Sequence, residues 1–133
     1  MGGGGGFQFY DPKYIIKLTD DICNLNWRGY AGNTLAMLTC LFELPHLTKK
    51  LLKNGYEINM ANYRDETLIS YAFIVEKTEN LIVDLINKKA IVTLRKKDYF
   101  TERNNILGEH FFDLAIRFKK YRIVKYYYRL QFR

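Results

Sequence analysis

Histidine and cysteine, the side chains most often used in nucleophilic and metal chemistry, are scarce in this chain, with two of each. Neither His46 nor His110 has a cysteine or a carboxylate at the spacing of a metal-ligand pair. Cys23 and Cys40 do not form a C-x-x-C pair, so the sequence offers neither a redox motif nor a zinc-binding pair. We therefore predict that the chain is not an enzyme and that it carries no cofactor and no metal.

Chemistry with phosphate is a separate possibility, because the C-terminal third is strongly basic. Residues 88–133 contain 13 Lys and Arg against 4 Asp and Glu, whereas residues 1–87 contain 8 against 10. Basic side chains neutralise phosphates, and exposed aromatic rings stack on bases. The candidate nucleic-acid-binding cations are Arg95, Lys96, Lys97, Lys119, Lys120, Arg122, Lys125 and Arg129.

The same cations could instead form the solvated side of terminal helices, with the neighbouring aromatic rings packed inward. A terminal helix that did both would direct Tyr127 and Arg129 outward and Tyr126 inward. The sequence thus leaves open an alternative function, that of an RNA- or ribonucleoprotein-associated subunit held on RNA or another acidic surface by the basic C-terminal third.

The composition is that of a soluble globular domain, with 48% hydrophobic and 26% charged residues in 133 positions. We predict a flexible glycine-rich segment at residues 1–6, followed by one domain at residues 7–133. The longest apolar run, Leu35–Leu44, is too short to span a membrane. The N-terminus lacks the charged and apolar parts of a secretory signal, so we expect the cytoplasm or the nucleus.

Part of the sequence recurs after 33 residues. The segment LNWRGYAGNTLA at Leu25–Ala36 aligns with INMANYRDETLI at Ile58–Ile69, and Gly32 aligns with Asp65. A weaker third copy begins at Gly108–Ala115, after about ten additional residues around Thr93–Asn104. Recurrence at a fixed period of 20 to 50 residues is typical of stacked helical repeats.

The second copy, GYEINMANYRDETLISYA at Gly55–Ala72, resembles the turn and first helix of an ankyrin repeat. The segment Leu47–Gly55 is similar to the second helix of that family. The resemblance implies an all-α solenoid of about three to four stacked helix pairs with loop fingers. An enlarged finger is expected near residues 90–105. The abundance of Lys, Asn, Ile and Tyr is similar to that of short ankyrin-like chains from large DNA viruses and intracellular parasites. A viral origin would place the protein in the host cytoplasm.

Helix signals fit this scheme. Asp11 followed by Pro12 predicts the start of a short leading helix, and Thr34 and Thr67 are expected to cap the first helices of two repeats. Gly55 is expected to end an outer helix in the left-handed conformation. Two helices, 110–118 and 121–130, are predicted to close the domain, with basic residues on their solvent side.

Ankyrin repeats bind other macromolecules, usually proteins, through their loop tips and through the concave side of their inner helices. The resemblance therefore implies a non-enzymatic adaptor or inhibitor that binds a partner protein. Leu41, Phe42, Ile74 and Val75 are predicted to form an exposed apolar strip, unless another segment covers them. The full set of predicted contact residues is Trp27, Arg28, Tyr30, Asn33, Leu41, Phe42, Tyr63, Arg64, Glu66, Ile74, Val75, Ile106, Leu107, Arg117 and Phe118.

Overall fold

A computed structural model describes residues 11–20, 26–90 and 109–131. These residues form seven α-helices and, within the same ranges, no strand beyond a single antiparallel bridge between Arg28 and Thr34. The all-α prediction is confirmed. The predicted enlarged finger lies almost entirely outside the described residues, as does the glycine run.

The helices follow one another in pairs after a leading helix. Their bounds are α1 Pro12–Thr19, α2 Leu35–Leu41, α3 Pro45–Lys53, α4 Leu68–Ile74, α5 Glu79–Asn87, α6 Glu109–Arg117 and α7 Tyr121–Gln131. The predicted helix starts at Asp11, Thr34 and Thr67 agree with these bounds to within about one residue, and so do the two predicted closing helices, 110–118 and 121–130.

Sequence signals at the helix ends account for much of this agreement. The Asp11 carboxylate accepts the Lys13 N–H at 2.9 Å, with Pro12 in the first turn of α1. The Thr34 hydroxyl accepts the Met37 N–H at 3.3 Å at the start of α2. Each bond satisfies one backbone donor that the helix itself leaves unpaired. Gly55 has a φ of 92° just beyond α3, as predicted from its position.

The inner helices are apolar on nearly every side because they are covered from several directions. α2 packs on α1, α3 and α4, and α4 packs in turn on α5. In α2 every residue from Leu35 to Cys40 is buried, and in α4 every residue from Leu68 to Phe73 is buried. One continuous core therefore runs from the leading helix to the C-terminal pair.

Aromatic packing joins the C-terminal pair to this core. The Phe111 ring of α6 lies 5.8 Å from the Phe73 ring of α4 and 5.4 Å from the Tyr127 ring of α7, both in edge-to-face geometry. α7 also packs on α5. Edge-to-face pairs at these distances stabilise a core beyond the area they bury.

Two loops project ahead of the inner helices. We call residues 28–34, before α2, the first tip, and residues 61–67, before α4, the second tip. Both belong to the segments that recur in the sequence, and most of the predicted contact residues with exposed side chains lie on them.

Candidate functional site

The two tips share a backbone hydrogen bond at equivalent positions. In the first tip the Gly29 N–H donates to the Asn33 carbonyl at 2.9 Å, and 33 residues later the Asn62 N–H donates to the Glu66 carbonyl, also at 2.9 Å. The recurrence in sequence therefore corresponds to a recurrence in hydrogen bonding.

Both tips also place their fifth residue in the left-handed region. Gly32 has a φ of 74°, and Asp65, at the aligned position, has a φ of 63°. Glycine adopts this conformation without steric cost, and aspartate tolerates it better than most residues do. Asp65 thus keeps the left-handed conformation that Gly32 has at the aligned position.

Hydrogen bonds join one tip to the other. The Tyr63 N–H donates to the Ala31 carbonyl at 2.9 Å, and Arg28 Nη1 donates to the Ala61 carbonyl at 2.7 Å. The same Arg28 nitrogen also donates to the Gly32 carbonyl at 3.0 Å. The guanidinium group therefore contacts the backbones of both loops and fixes their relative position.

A buried polar network lies behind these contacts. Asn62 Nδ2 donates to Asn33 Oδ1 at 2.8 Å, and the Tyr71 hydroxyl donates to Glu66 Oε1 at 2.8 Å and to Asn33 Oδ1 at 3.2 Å. Burial, together with donation to Glu66, raises the pKa of Tyr71 to about 12. The prediction that Asn33 contacts a partner is wrong in its simplest form, because its side chain is fully buried and holds the two tips together.

Four side chains of these loops reach solvent and form what we call the tip surface: Arg28, Tyr30, Tyr63 and Arg64. Tyr63 is 77% exposed although its backbone is anchored, and Tyr30 is 49% exposed. Arg64 Nε lies 3.8 Å from Glu66 Oε1, so one acidic group borders the two arginines. Trp27, beside the first tip, is half-buried and packs against the core.

The predicted apolar strip is largely taken up by packing within the chain. Leu41, Phe42 and Val75 are half-buried against the core, and Ile74 is the strip residue that is exposed, at 49%. A continuous exposed strip at the ends of α2 and α4 is therefore not present.

The predicted contact residues of the third copy differ in their exposure to solvent. Arg117 is exposed and Phe118 is half-buried against the core. Ile116, which sequence reasoning passed over, is 52% exposed. Five predicted residues lie outside the described part of the chain: Arg95, Lys96, Lys97, Ile106 and Leu107.

The predicted basic face needs one correction. Lys119, Arg122, Lys125 and Arg129 are exposed, as expected, but Lys120 is 4% exposed. Its Nζ donates to the Val75 carbonyl at 2.6 Å, at the end of α4. Burial lowers the pKa of Lys120, and the nearby Glu79 carboxylate opposes that effect. The aliphatic stem fills the interior while the ammonium group takes a carbonyl that the helix leaves unpaired.

The expected orientation of the α7 tyrosines is reversed. Tyr127 is buried against Phe111, whereas Tyr126 is 51% exposed. With Ile123 buried four residues earlier, Tyr127 completes the stripe that a helix directs toward a core. Burial raises the pKa of Tyr127 to about 12, and its hydroxyl has no hydrogen-bond partner among the described residues.

The structure adds little in favour of other chemistry. Cys40 is buried as a free thiol, and burial raises its pKa to about 12, which disfavours the reactive thiolate. Within residues 11–20, 26–90 and 109–131 no group of three or more His, Cys, Asp and Glu side chains could hold a metal ion. None of the helices in these ranges is long and apolar enough to cross a bilayer.

Asn62 is the main site residue that sequence reasoning missed. Its Oδ1 accepts the Arg64 and Glu66 N–H groups, both at 2.9 Å, while its Nδ2 reaches Asn33 in the first tip. An asparagine that opens a loop commonly bonds to the backbone two residues later, so a turn signal was present. Nothing in the sequence indicated that the Asn62 side chain would contact Asn33 in the other tip.

Comparison of the chain with protein-family models, with curated proteins and with solved structures gives no match. The function has therefore to be inferred from the chain's own geometry.

Proposed function

We propose that this protein is a non-enzymatic interaction module that binds a partner protein through the tip surface. One observation carries the proposal: hydrogen bonds from Arg28 and Tyr63 hold two separate loops in a single arrangement. A surface that is already ordered before binding loses little conformational entropy when a partner docks.

The side chains displayed there are suited to a protein partner. Tyrosine and arginine are enriched among the residues that carry most of the binding energy at protein interfaces. Tyr63 presents a large ring, and Arg64 lies beside Glu66, so the surface combines apolar area with charges of both signs. Mixed charge of this kind favours specific pairing with a protein rather than general attraction to a polyanion.

We also propose that the helix pairs are stacked as in an ankyrin-like solenoid. Support comes from the equivalent hydrogen bonds of the two tips, from the left-handed residues at 32 and 65, and from the packing of α2 on α4. In this arrangement the tips project from one edge of the stack, where loops of neighbouring repeats act together.

The test is affinity capture from cytosolic and nuclear fractions of the cell that produces the protein, followed by a direct binding assay with the captured protein. We expect Tyr63→Ala combined with Arg64→Ala to weaken that binding by about 2–4 kcal/mol, because two hot-spot side chains are truncated. Neither side chain is buried, so the helical circular dichroism should be preserved.

Lys49→Ala combined with Lys53→Ala is the matched control, since both lysines are exposed on α3, away from the tips. The control should bind as wild type does. Equal binding by the tip variant and the wild type would refute the tip surface as the docking site. Loss of binding in the control alone would move the site to the outer helices.

A further inference from the structure

The outward side of α7 presents a row of cations. Arg122, Lys125 and Arg129 follow one another at spacings of three and four residues, so they lie on one side of the helix and span about 10 Å of its axis. All three are exposed, and α7 contains no acidic residue. Arg122 approaches one carboxylate, at 3.7 Å from Glu79.

Exposed tyrosines border this row on both sides. Tyr121 is 56% exposed, Tyr128 is 57% exposed and Tyr126 is 51% exposed. On a helix of 3.6 residues per turn, Tyr121 and Tyr128 flank the cations on one side and Tyr126 flanks them on the other. The burial of Tyr127 among core aromatic rings fixes this rotation, because it points the opposite side of α7 into solvent.

We propose that this outward face of α7 binds single-stranded nucleic acid. Its cations would contact successive phosphates, and its half-exposed tyrosine rings would stack on unpaired bases. An acidic peptide would use the charges but would leave the rings without a matching surface, and a duplex would keep its bases out of reach. The proposal goes beyond the protein-binding function and is independent of it, because no residue is shared with the tip surface.

The experiment is a fluorescence anisotropy titration of the full chain with a short labelled oligouridylate at several salt concentrations. We expect Lys125→Glu combined with Arg129→Glu to weaken binding at least about tenfold at low salt. Losing two phosphate contacts should also make the plot of log association constant against log salt concentration less steep, by about 1.4. Lys125→Gln with Arg129→Gln, checked by circular dichroism, is the milder pair and should show a smaller loss in the same direction.

A matched control exists on α3. Lys49→Glu combined with Lys53→Glu makes the same change in net charge at the same four-residue spacing on an exposed helix. The affinity of this control for the oligouridylate should stay within about twofold of the wild-type affinity, because lower net charge by itself has only a small effect. Equal losses in the two double variants would overturn the site, because they would show attraction by overall charge alone.

The tyrosines provide the readout that separates nucleic acid from other polyanions. We expect Tyr121→Ala to weaken oligouridylate binding about fivefold or more and Tyr121→Phe to retain it, since stacking needs the ring and not the hydroxyl. Tyr121→Ala binding as tightly as wild type would refute the proposal. Tighter binding of poly-glutamate or of duplex RNA than of the oligouridylate would refute it as well.

Discussion

A buried tyrosine lies behind the tips and another lies in the C-terminal helix pair, but their hydroxyl groups have opposite environments. Tyr71, behind the tips, donates to Glu66 and Asn33 within a network that crosses from one loop to the other. Tyr127, in α7, lies against Phe111 with its hydroxyl unpaired within the described residues. The tips are thus positioned largely by directional hydrogen bonds. The C-terminal pair is positioned largely by apolar packing, to which the Lys120 bond to the Val75 carbonyl adds.

This difference has consequences for function. Hydrogen bonds between backbone groups and fixed amides allow few alternative arrangements, so the tip surface is held in one geometry. The outward face of α7 is oriented by the buried Ile123 and Tyr127 on its far side, and its basic side chains are long and exposed. A rigid surface suits a shaped protein partner, and an exposed basic face suits a flexible strand.

The largest expected effect comes from Gly32→Ala, which disrupts the contact between the tips. Gly32 has a φ of 74°, and a Cβ atom there would come within 2.6 Å of the Tyr63 ring. We expect a loss of about 2–3 kcal/mol in the free energy of unfolding, from left-handed strain together with the displaced ring. Urea unfolding would measure the loss, and binding to the captured partner should fall with it.

Gly55→Ala is the control for strain alone, because Gly55 has a φ of 92° with nothing within 4 Å of the added Cβ. It should cost about 1–2 kcal/mol and leave partner binding intact. In the Tyr63→Ala background the cost of Gly32→Ala should drop to that same level. If it did not drop, the ring contact would not contribute to ordering the tips.

Two smaller effects on stability would test the difference between Tyr71 and Tyr127. Tyr71→Phe should lower the free energy of unfolding by about 1–2 kcal/mol, because it removes the one hydroxyl donor that Glu66 and Asn33 share. Tyr127→Phe should change stability little or raise it by up to about 1 kcal/mol, because a buried hydroxyl without a partner carries a desolvation cost. Equal losses in urea unfolding would contradict the distinction drawn between the two regions.

The smallest expected effect concerns Lys120 and pH. Because burial lowers its pKa, the unfolded chain binds more protons than the folded chain between that lowered pKa and the usual 10.5. The contribution of Lys120 to stability should therefore rise with pH across this window. Unfolding free energies of wild type and Lys120→Met, compared from neutral pH toward 10.5, should diverge in favour of wild type. Groups common to both proteins cancel in the difference, so a constant or narrowing difference would contradict a lowered pKa of Lys120 in the folded chain.

Local signals predicted the helices well. Asp11 with Pro12, Thr34, and Gly55 each mark a helix end through hydrogen bonds or backbone preferences that act within a few residues. The recurrence over 33 residues likewise predicted that Asp65 occupies the position of Gly32. Such features could be predicted because their causes lie within one short segment.

Side-chain burial at the predicted contact residues was harder to predict from the sequence. Asn33 and Lys120 are polar, and their types predicted exposure, yet both are buried because Asn62 and the Val75 carbonyl supply partners from distant segments. Phe42 and Val75 were predicted to be exposed, and they are half-buried against the core. Each outcome depends on a neighbour that sequence position alone does not identify.

By itself the amino-acid sequence determined that the chain is helical, where most helices begin and end, and which two loops are equivalent, because hydrophobic spacing, capping residues and a repeated segment all act locally. Only the tertiary structure decided which side of α7 faces solvent, which polar residues cross from one loop to the next, and which aromatic residues remain available. Those features follow from the way separate segments pack together, since burial of a side chain is set by whatever lies opposite it.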